Sequence, residues 1–422
     1  MEEWKTYKLG DLCNIHRGAS PRPIQKFLSD KGQPWVKISD ATSDSSRFIS
    51  TTKEFIIEDG IKHSVIVTPG TLIVSNSATP GLPKIMKIEA CVHDGWLIID
   101  QIRDCVLKEY LYYSFINIRR NLSNQANGSV FQNLKTEIVK NFEIKIPSLS
   151  KQRLIVDVLS SIEDKIDLNN RINHNLEEQA QALYKSWFVD FEPFRGGNFV
   201  NSELGMIPEG WRVGCYNDII SSTVSGDWGK DREVGNYTHK VSCIRGCDFA
   251  DVSSGIRGKT PERFVLEKNF QNKRLLDKDI IVEISGGTPT VSTGRICLVS
   301  DNLLDKYSGN IVCTNFCRVI RPCSGYSSYV FYSWLDKYNS RVMFGYENGT
   351  SGIKNFQISD FMEKEPVIIP PQTVIAQFQT ILDVYQAVIQ RNGNERMECE
   401  TVRDALLPKL MSGELKINDL TC

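Results

Sequence analysis

One stretch of the sequence has the residue types of a phosphate-binding loop. Gly255-Ile256-Arg257-Gly258-Lys259-Thr260 ends in the Gly-Lys-Thr that cradles nucleotide phosphates in such loops. The motif also needs a glycine five residues before Gly258, where this chain has Ser253, and a strand leading into the loop. Nucleotide chemistry is therefore not predicted, and we interpret the segment as an exposed loop.

Two groups of cysteines, one of them beside a histidine, could hold a metal ion. They are Cys243 and Cys247 with His239, and Cys313, Cys317 and Cys323. Their gaps differ from the two-residue spacing of a zinc ribbon, and strand-like segments surround both groups. We expect buried core cysteines and no metal site.

Catalytic patterns are also missing from the sequence. The chain has five histidines, and none lies in a recognisable nucleophile arrangement. The Asn-Pro-Pro-aromatic motif of amino-methylation is absent, as is a glycine-rich loop for a methyl donor. We expect no catalytic residue and no cofactor in this chain, so that partners must supply any chemistry.

The polar and basic loop residues match the chemistry of DNA recognition instead. Base edges are recognised by Arg, Lys, Asn, Gln, Ser and Thr, and phosphates by cations and amide donors. The candidates of the first half are Arg17, Ser20, Arg22, Lys37, Ser75, Asn76, Ser77, Thr79, Gln125, Asn127, Gln132, Asn133 and Lys135. Those of the second half are Trp228, Lys230, Arg245, Ser285, Thr288, Thr290, Arg295, Asn348, Ser351, Lys354 and Asn355. Such residues also satisfy turns beside glycine and proline, so the prediction concerns the sets more than single members.

Two long helices must position these loops. Apolar or small residues alternate at spacings of four and three through residues 151–187, which predicts a coiled-coil seam. The same spacing returns near the C-terminus, and the Ile-Pro prolines before the two helices, Pro147 and Pro370, are 223 residues apart (370 − 147). The predicted seam residues are Ile155, Leu159, Ile162, Ile166, Asn169, Leu176 and Leu183, then Phe378, Leu382, Tyr385, Ile389, Asn392, Leu406 and Leu410. The sequence is therefore a tandem duplication.

Four shorter segments repeat as well and predict one globular domain in each half. The paired segments begin at Trp4 and Trp211, Trp35 and Cys243, Thr71 and Ile280, and Gly128 and Thr350. Since the intervening loops differ, we expect a shared scaffold that recognises two different targets. The predicted fold class is α+β, with two similar mixed α/β domains separated by a pair of long antiparallel coiled-coil helices in a pseudo-twofold repeat.

Composition limits the class of protein further. A chain of 422 residues is long enough for two domains, and 41% hydrophobic with 24% charged residues is typical of a soluble globular protein. No apolar run approaches the roughly 20 residues of a membrane span, and no signal peptide is recognisable. Singly scattered cysteines suit a reducing compartment, so we expect a cytoplasmic protein without a membrane partner. A net charge of −1 disfavours bulk coating of nucleic acid but allows a local basic groove.

The junction between the halves and the C-terminal tail resemble those of a known family. Phe188-Val189-Asp190-Phe191-Glu192-Pro193, followed by residues 202–211, is similar to the hinge of type I restriction-modification specificity subunits. Leu406-Leu407-Pro408-Lys409-Leu410-Met411-Ser412-Gly413-Glu414-Leu415 is similar to their C-terminal tail. The resemblance covers the whole chain.

The resemblance implies a non-catalytic subunit for phage defence by DNA methylation and restriction. Two target recognition domains would each recognise half of a bipartite, asymmetric site in double-stranded DNA. The helices would dock two methyltransferase (modification) subunits and, through them, restriction (translocase and nuclease) subunits where these exist. S-adenosylmethionine, ATP and Mg²⁺ would then be bound by those partners and not by this chain.

Repeat and resemblance together predict the domain boundaries. The two recognition domains are expected at residues 1–147 and 211–370, and the spacer helices at residues 148–190 and 371–413. A hinge would occupy residues 191–210, and a tail residues 414–422.

Asparagines occupy equivalent places at the midpoints of the two seams. Asn169 and Asn392 are 223 residues apart (392 − 169), and the midpoints of antiparallel helices meet. A buried asparagine fixes register at a cost in stability, so we expect these two residues to lie side by side. Asn392-Gly393-Asn394 is a poor helix sequence and departs from the family pattern.

Several apolar residues fall on the outward side of the first helix. They are Val156, Leu168, Ile172 and Val189. Such positions are too apolar for a fully solvated helix, and we expect them to form a docking surface for another subunit.

Three hypotheses of function remain open from the sequence. In the first, the first helix is a ruler of roughly 55 Å that sets the spacer between two half-sites. In the second, the chain is an adaptor whose coiled coil organises a complex while its domains bind proteins. The third is the recognition subunit of another restriction-modification type with the same two-headed design. Duplex binding must weaken steeply with added salt, which separates the first hypothesis from the second.

Overall fold

Two units make up the structure, a computed structural model that describes residues 4–42, 46–125, 133–288, 290–349 and 353–415. One unit comprises Met1–Asp167 with Glu398–Cys422, and the other comprises Leu168–Met397. Each of two long helices contributes one end to the first unit and the other end to the second.

The first unit carries a domain built on two five-stranded sheets. Its strands are β1 (Lys5–Lys8), β2 (Asn14–Arg17), β3 (Leu28–Ser29), β4 (Gln33–Val36), β5 (Phe48–Ile49), β6 (Glu54–Ile56), β7 (Val65–Val67), β8 (Leu72–Ser75), β9 (Pro83–Met86), β10 (Ala90–Val92), β11 (Trp96–Asp100) and β12 (Glu143–Ile146). Its helices are α1 (Leu9–Leu12), α2 (Ile38–Thr42), α3 (Glu58–Ile61), α4 (Lys108–Gln125) and α5 (Thr136–Lys140), followed by the first long helix, α6 (Leu149–Phe188). The sheet orders are β2-β11-β8-β9-β5 and β3-β6-β4-β10-β7, and β1 pairs with β12.

The second unit carries a domain of the same design. Its strands are β13 (Phe199–Ser202), β14 (Gly205–Pro208), β15 (Arg212–Cys215), β16 (Ile220–Ser225), β17 (Tyr237–Ile244), β18 (Glu262–Leu266), β19 (Ile280–Glu283), β20 (Ser285–Gly286), β21 (Ile296–Leu298), β22 (Ile311–Cys313), β23 (Cys317–Pro322), β24 (Glu347–Asn348), β25 (Lys354–Phe356) and β26 (Pro366–Ile369). Its helices are α7 (Phe249–Ser253), α8 (Glu267–Lys273), α9 (Asp301–Lys306), α10 (Ser327–Asn339) and α11 (Ile358–Lys364), followed by the second long helix, α12 (Gln372–Ser412).

Sheet topology confirms the duplication. The order β2-β11-β8-β9 in the first unit corresponds to β16-β23-β19-β21 in the second, and β6-β4-β10 corresponds to β18-β17-β22. In both units one strand pair of the second sheet is parallel, β4 with β10 and β17 with β22. The central strands β8 and β19 are buried along their whole length. The predicted α+β class, with two similar domains and two long helices, is confirmed.

The two long helices run antiparallel in the second unit. There Asn173 of α6 bonds to the Ile389 carbonyl of α12, and further along α6 the ring centroids of Tyr184 and Phe378 are 6.4 Å apart, so residue numbers on α12 fall as those on α6 rise. In the first unit the two helices are in contact as well, since Glu163 Oε1 of α6 lies 3.6 Å from Arg403 Nη1 of α12. The antiparallel direction predicted from the sequence is therefore present.

The expected meeting of Asn169 and Asn392 is found in the second unit. Asn169 Nδ2 donates to the Asn392 carbonyl at 3.3 Å, and Asn392 Nδ2 donates to Asn173 Oδ1 at 2.9 Å. Asn173 Nδ2 in turn donates to the carbonyl of Ile389 at 3.1 Å. All three asparagines are buried, so their amides satisfy one another and the helix backbone.

The predicted seam residues differ in burial. Those buried are Ile155, Leu159, Ile166, Asn169, Phe378, Leu382, Ile389, Asn392 and Leu410. Those half-buried are Ile162, Leu176, Leu183, Tyr385 and Leu406. Near the end of α6 the buried aromatic residues are Tyr184 and Phe188, because a straight helix drifts about 20° per heptad from a 3.5-residue repeat. Both rings pack in the core of the second domain, so burial there favours facing Tyr184 and Phe188, and not Leu183 and Trp187, toward the core.

Helix α12 continues unbroken through Asn392-Gly393-Asn394. A Cβ atom on Gly393 would lie 2.1 Å from the carbonyl oxygen of Gly255, so only glycine fits there. The loop that begins at Gly255 was expected to be exposed, and this was wrong for Gly255, Ile256 and Gly258, which are buried, whereas Arg257 and Lys259 are exposed. Gly255 is buried because it packs against the backbone of α12.

Three of the five cysteines in the two predicted groups lie in the core of the second domain. Cys243, Cys313 and Cys317 are buried among apolar side chains, as predicted. The prediction was wrong for Cys247, which is exposed, and for Cys323, which is half-buried. Burial raises the pKa of the Cys243 thiol to about 12. Among the helices within the described ranges, none is both long enough and apolar enough to cross a bilayer.

Replacing Gly393 tests the close approach of the loop to α12. In an open helix interior, alanine is more stable than glycine by about 1 kcal/mol. At position 393 the new methyl group meets the Gly255 carbonyl, so we expect Gly393→Ala to lower the free energy of unfolding by about 1–3 kcal/mol. Urea unfolding followed by circular dichroism measures the change. The control is Gly345→Ala, because nothing lies within 4 Å of that Cβ position. A gain in stability at position 393 would contradict the packing described.

Candidate nucleic-acid interface

Asp94 organises the loops at one end of the first domain. It follows β10, and its carboxylate accepts hydrogen bonds from Ser20 Oγ at 2.7 Å and Arg22 Nη2 at 2.8 Å. Its carbonyl oxygen accepts from Arg17 Nη2 at 2.9 Å and Asn76 Nδ2 at 3.1 Å. Burial works to raise the pKa of Asp94, but these Ser20 and Arg22 bonds outweigh it and hold the pKa below its ordinary value. Through its carboxylate and its backbone carbonyl together, Asp94 therefore joins its own loop to the loop of residues 17–22 and to the loop of Asn76.

A cleft of about 910 Å³ opens beside these loops. Four of the predicted DNA-binding residues line it together with two aromatic rings; the four are Ser20, Arg22, Lys37 and Ser77, and the rings are those of Trp35 and His93. Lys37 also pairs with Glu54. Thr79, another predicted residue, does not line the cleft but follows Ala78, which does.

His93 lines this cleft and was missed from the sequence. Its Nδ1 accepts the backbone N–H of Gly95 at 2.7 Å, which assigns the ring proton to Nε2. Burial lowers the pKa of His93, and nearby Lys37 lowers it further against the opposing effect of Asp94. The ring is therefore held neutral with a donor on Nε2. The sequence did not indicate a role for His93, because a single histidine before Asp94-Gly95 is typical of an ordinary turn.

Ser75 and Asn76 hold their loop instead of facing solvent. Both were predicted to contact DNA, but both are fully buried. Ser75 Oγ donates to the Thr79 carbonyl at 2.5 Å and accepts from the Leu82 N–H at 3.0 Å. The tight turn after the buried strand β8 requires these bonds, so the two residues position the loop.

The remaining candidates of the first domain lie at its surface. Gln125 ends α4, and Asn133 and Lys135 are exposed before α5. Between these last two, the Leu134 N–H donates to the Asn76 carbonyl at 2.7 Å, which joins them to the loop group. Asn127 and Gln132 lie outside the described residues.

Carboxylates also hold the arginines of the second domain. Arg245 donates from Nε and Nη2 to the two oxygens of Asp248, each at 3.0 Å. Arg295 donates from Nε and Nη2 to the two oxygens of Glu283, each at 2.8 Å. Lys354 Nζ lies 2.7 Å from Glu347 Oε2. These donors are fixed in direction while their charge is balanced.

Trp228 provides a partly exposed aromatic face in the loop after β16. Its side chain is 36% exposed, and the guanidinium carbon of Arg263 lies 4.1 Å from the ring centroid. Its backbone N–H donates to Asn315 Oδ1 at 3.2 Å, which ties it to the loop after β22. Lys230 extends from the same segment over the ring of Tyr237, with Nζ 5.5 Å from the centroid.

A further group of polar residues surrounds β20 and β25. Ser285 Oγ donates to Asn355 Oδ1 at 2.8 Å, where the two strands pair. Thr288, Thr290 and Asn348 are exposed in the adjoining segments. Ser351 lies outside the described residues.

Most of the predicted cations are already paired with carboxylates. The pairs are Arg22 with Asp94, Lys37 with Glu54, Arg245 with Asp248, Arg295 with Glu283, and Lys354 with Glu347. Arg17, Lys135 and Lys230 have no carboxylate partner within the part of the chain that the structure describes. We call the loops around Asp94 and His93 the first loop group, and the loops that carry Trp228, Glu283 and Arg295 the second. Both loop groups therefore offer directed hydrogen-bond donors more than free positive charge.

Sequence reasoning missed the carboxylates because their separation from their partners follows no single spacing and ranges from 3 to 72 residues. Asp94 is 72 residues from Arg22, and only the strand pairing of the sheet brings them together. Asp248 belongs to one of the segments that repeat between the two halves, and its counterpart in the first half is Asp40. In both domains this acid accepts the N–H of the cation three residues before it, Asp40 from Lys37 at 2.8 Å and Asp248 from Arg245 at 3.0 Å.

Comparisons with known proteins agree on one family. A family model for the type I restriction modification DNA specificity domain matches residues 1–178. The type I restriction enzyme MjaIX specificity subunit of Methanocaldococcus jannaschii is 30% identical over 430 residues, which cover 99% of this chain and 95% of the relative. The type I restriction enzyme HindI specificity subunit of Haemophilus influenzae is 22% identical over 484 residues, covering 98% of this chain and all of that one.

A solved structure resembles the fold. The crystal structure of a type I restriction-modification system S subunit from M. genitalium matches with a TM-score of 0.53 at 15% identity. The match covers 97% of this chain and 96% of that chain.

The neutral state of His93 predicts a pH dependence. The unfolded chain protonates this histidine near its ordinary pKa of 6.5, whereas burial keeps it neutral in the fold to lower pH. The contribution of His93 to the free energy of unfolding is therefore complete above about pH 6.5. It declines as the pH falls from there toward the lowered pKa of the folded state. We expect His93→Asn to lose less stability than the wild type between about pH 7.5 and about pH 5.5.

Asparagine is the chosen replacement because its side chain can still accept the N–H two residues on, without titrating. Urea unfolding at the two pH values measures the difference. An identical pH dependence in both proteins would show that His93 is not held neutral by the loop.

Proposed function

Because this chain belongs to the family of type I restriction-modification specificity subunits, we propose that it recognises a bipartite, asymmetric site in duplex DNA and has no catalytic site of its own. The observation that carries the proposal is the pair of loop groups, which occupy equivalent topological positions but differ in side chains. Asp94 and His93 organise one, and Glu283, Arg295 and Trp228 the other. Two scaffolds of one design with different donors suit two different half-sites. We take residues 1–147 and 211–370 as the recognition domains.

The charge pairs support recognition of base edges over bulk attraction to the phosphates. A net charge of −1 and the paired cations leave little free positive charge. Arg17, Lys135 and Lys230 are the candidates for phosphate contacts. Sequence is then recognised by the buttressed arginines and the amide and hydroxyl groups beside them.

Exposed apolar residues on the long helices fit docking of two modification subunits. In the first unit Leu154 is 47% and Val402 48% exposed, and in the second Leu168, Ile172 and Val384 are exposed as well. Val189, which follows α6, is also exposed, as expected, whereas Val156 is half-buried against the core of the first domain. These residues would meet methyltransferase subunits that bind S-adenosylmethionine. Restriction subunits that use ATP and Mg²⁺ would join through them.

The length of the helices is proposed to set the spacer between the half-sites. Seven helical residues span about 10 Å, close to three base pairs at about 3.4 Å each. Seven residues also make nearly two turns, so a heptad deletion rotates the chain by only about 20°. Helix length can therefore be changed without reversing which side of the helix faces its partner.

The test is the methylated motif in cells that contain this chain with its modification subunit. We expect a motif of two short specific segments separated by unspecified base pairs. Deleting one heptad at facing positions of α6 and α12 should shorten the unspecified segment by about three base pairs. Long-read sequencing of the modified genome measures both motifs.

Deleting a heptad from α6 alone is the matched control, since it breaks the register of the pair and should abolish methylation. A contiguous motif in the wild type would contradict bipartite recognition. An unchanged spacer after paired deletion would contradict the role of the helices. An adaptor that binds only proteins would give no duplex binding that weakens with salt.

A further inference from the structure

Arg295 is held by Glu283 in a way that leaves one edge of its guanidinium without a partner. Glu283 occupies Nε and one N–H of Nη2, through two bonds of 2.8 Å. Nη1 makes no hydrogen bond to any residue in the described ranges. The Glu283 side chain is 10% exposed and that of Arg295 39%, so the carboxylate lies inside and the free edge outside. The outer edge therefore offers two parallel N–H donors in a fixed direction.

Two glycines enclose the pair on its inner side. A Cβ atom on Gly246 would lie 2.2 Å from Glu283 Oε1 and 3.1 Å from Arg295 Nη2. A Cβ atom on Gly286 would lie 3.3 Å from Glu283 Oε1, and its backbone has a positive φ of 144°. A side chain at position 246 would displace the carboxylate, whereas one at position 286 would contact it tightly and would also need a backbone conformation that favours glycine.

The chemistry of the free edge matches a guanine base. In the major groove guanine presents O6 and N7, two adjacent acceptors that an arginine fork meets with two hydrogen bonds. A phosphate also accepts two hydrogen bonds, but it is drawn mainly by net positive charge. Glu283 cancels the charge of Arg295 while leaving its donors in place, which favours a neutral acceptor over an anion.

We propose that Arg295 recognises a guanine in the half-site of the second domain and that Glu283 is the positioning residue that directs it. This inference rests on the proposed function and assigns one base of the target. The second domain would therefore require a G·C pair at one position of its half-site.

Other arginines near the loops lack this combination. Both N–H groups of Arg245 Nη2 are occupied, by Asp248 Oδ1 at 3.0 Å and by the Lys259 carbonyl at 2.8 Å. Arg22 makes one side-chain bond, to Asp94, and its side chain is 77% exposed, so its direction is not fixed. Arg321 pairs with Asp279 at the other end of β19, away from the loop group.

The experiment determines the methylated motif and the duplex affinity of Arg295 variants in the complex with the modification subunit. We expect Arg295→Gln to lose the requirement for guanine at one position of one half-site, while the other half-site is unchanged. Affinity for the original site should fall by about 5- to 150-fold. Arg295→Lys should behave in the same way, because lysine keeps the charge but lacks the planar fork.

Two further variants separate base recognition from other roles. Glu283→Gln should weaken the preference for guanine at the same position, a readout that a merely structural role would not move. Lys230→Gln, at a proposed phosphate contact, should reduce the salt slope of binding by about 1 without changing the motif. The Arg295 variants should leave that slope unchanged.

Arg321→Gln is the matched control, since this arginine also has a carboxylate partner, Asp279, which lies just before β19 at the end opposite to Glu283. It should keep the wild-type motif. If the wild type has a bipartite motif and both Arg295 variants retain it, the guanine assignment is overturned while the proposed function stands. If Arg295→Lys keeps the motif and affinity while Arg295→Gln loses affinity and salt slope, Arg295 contacts a phosphate and the assignment is again overturned. A wild type without a bipartite motif overturns the proposed function itself.

Discussion

The register of the two long helices depends on a small set of buried asparagine amides. Asn169, Asn173 and Asn392 hydrogen-bond to one another and to backbone carbonyls in the second unit, where leucines would pack as well in several registers. An amide that slides by one turn loses partners that nothing else in the apolar seam replaces. Because a shifted register would leave these buried amides without partners, the amides fix which residues of α6 and α12 face each other. Every proposal about half-site spacing assumes this fixed register.

A second constraint acts within each domain, where carboxylates direct the donors of the loops. The Asp94 carboxylate holds Ser20 and Arg22, and Glu283 fixes the plane of Arg295. Long flexible side chains lose less freedom on binding when they are already held. A protein with a net charge of −1 can then distinguish bases without relying on bulk attraction to DNA.

The helices and the duplication could be predicted because their signals are local or repeated. The four-three spacing of residues such as Ile155 and Leu159 gives the seam directly, and the shared offset of 223 residues gives the second copy. The end of α6 was less predictable, since burial of Tyr184 and Phe188 depends on the core of the second domain. The loop at Gly255 was expected to be exposed because nothing local indicates that α12 passes against it.

The candidate interface was predicted only in outline. Polar residue types identified the loops, but burial of Ser75 and Asn76 follows from turn hydrogen bonds that residue types do not reveal. Ion pairs such as Arg22 with Asp94 depend on which strands are neighbours in the sheet, and sequence spacing does not give that order.

The central claim is that each half is a complete recognition unit placed in an equivalent frame by the repeated helices. It is tested most directly by a chain in which residues 4–147 also replace residues 211–370, joined at the equivalent tryptophan and proline positions. Sequencing the methylated motif of cells containing this chain with the modification subunit gives the result. The account predicts an inverted repeat of the half-site that the first domain recognises in the natural protein. A motif that keeps the natural asymmetry would contradict it, as would a motif containing neither natural half-site.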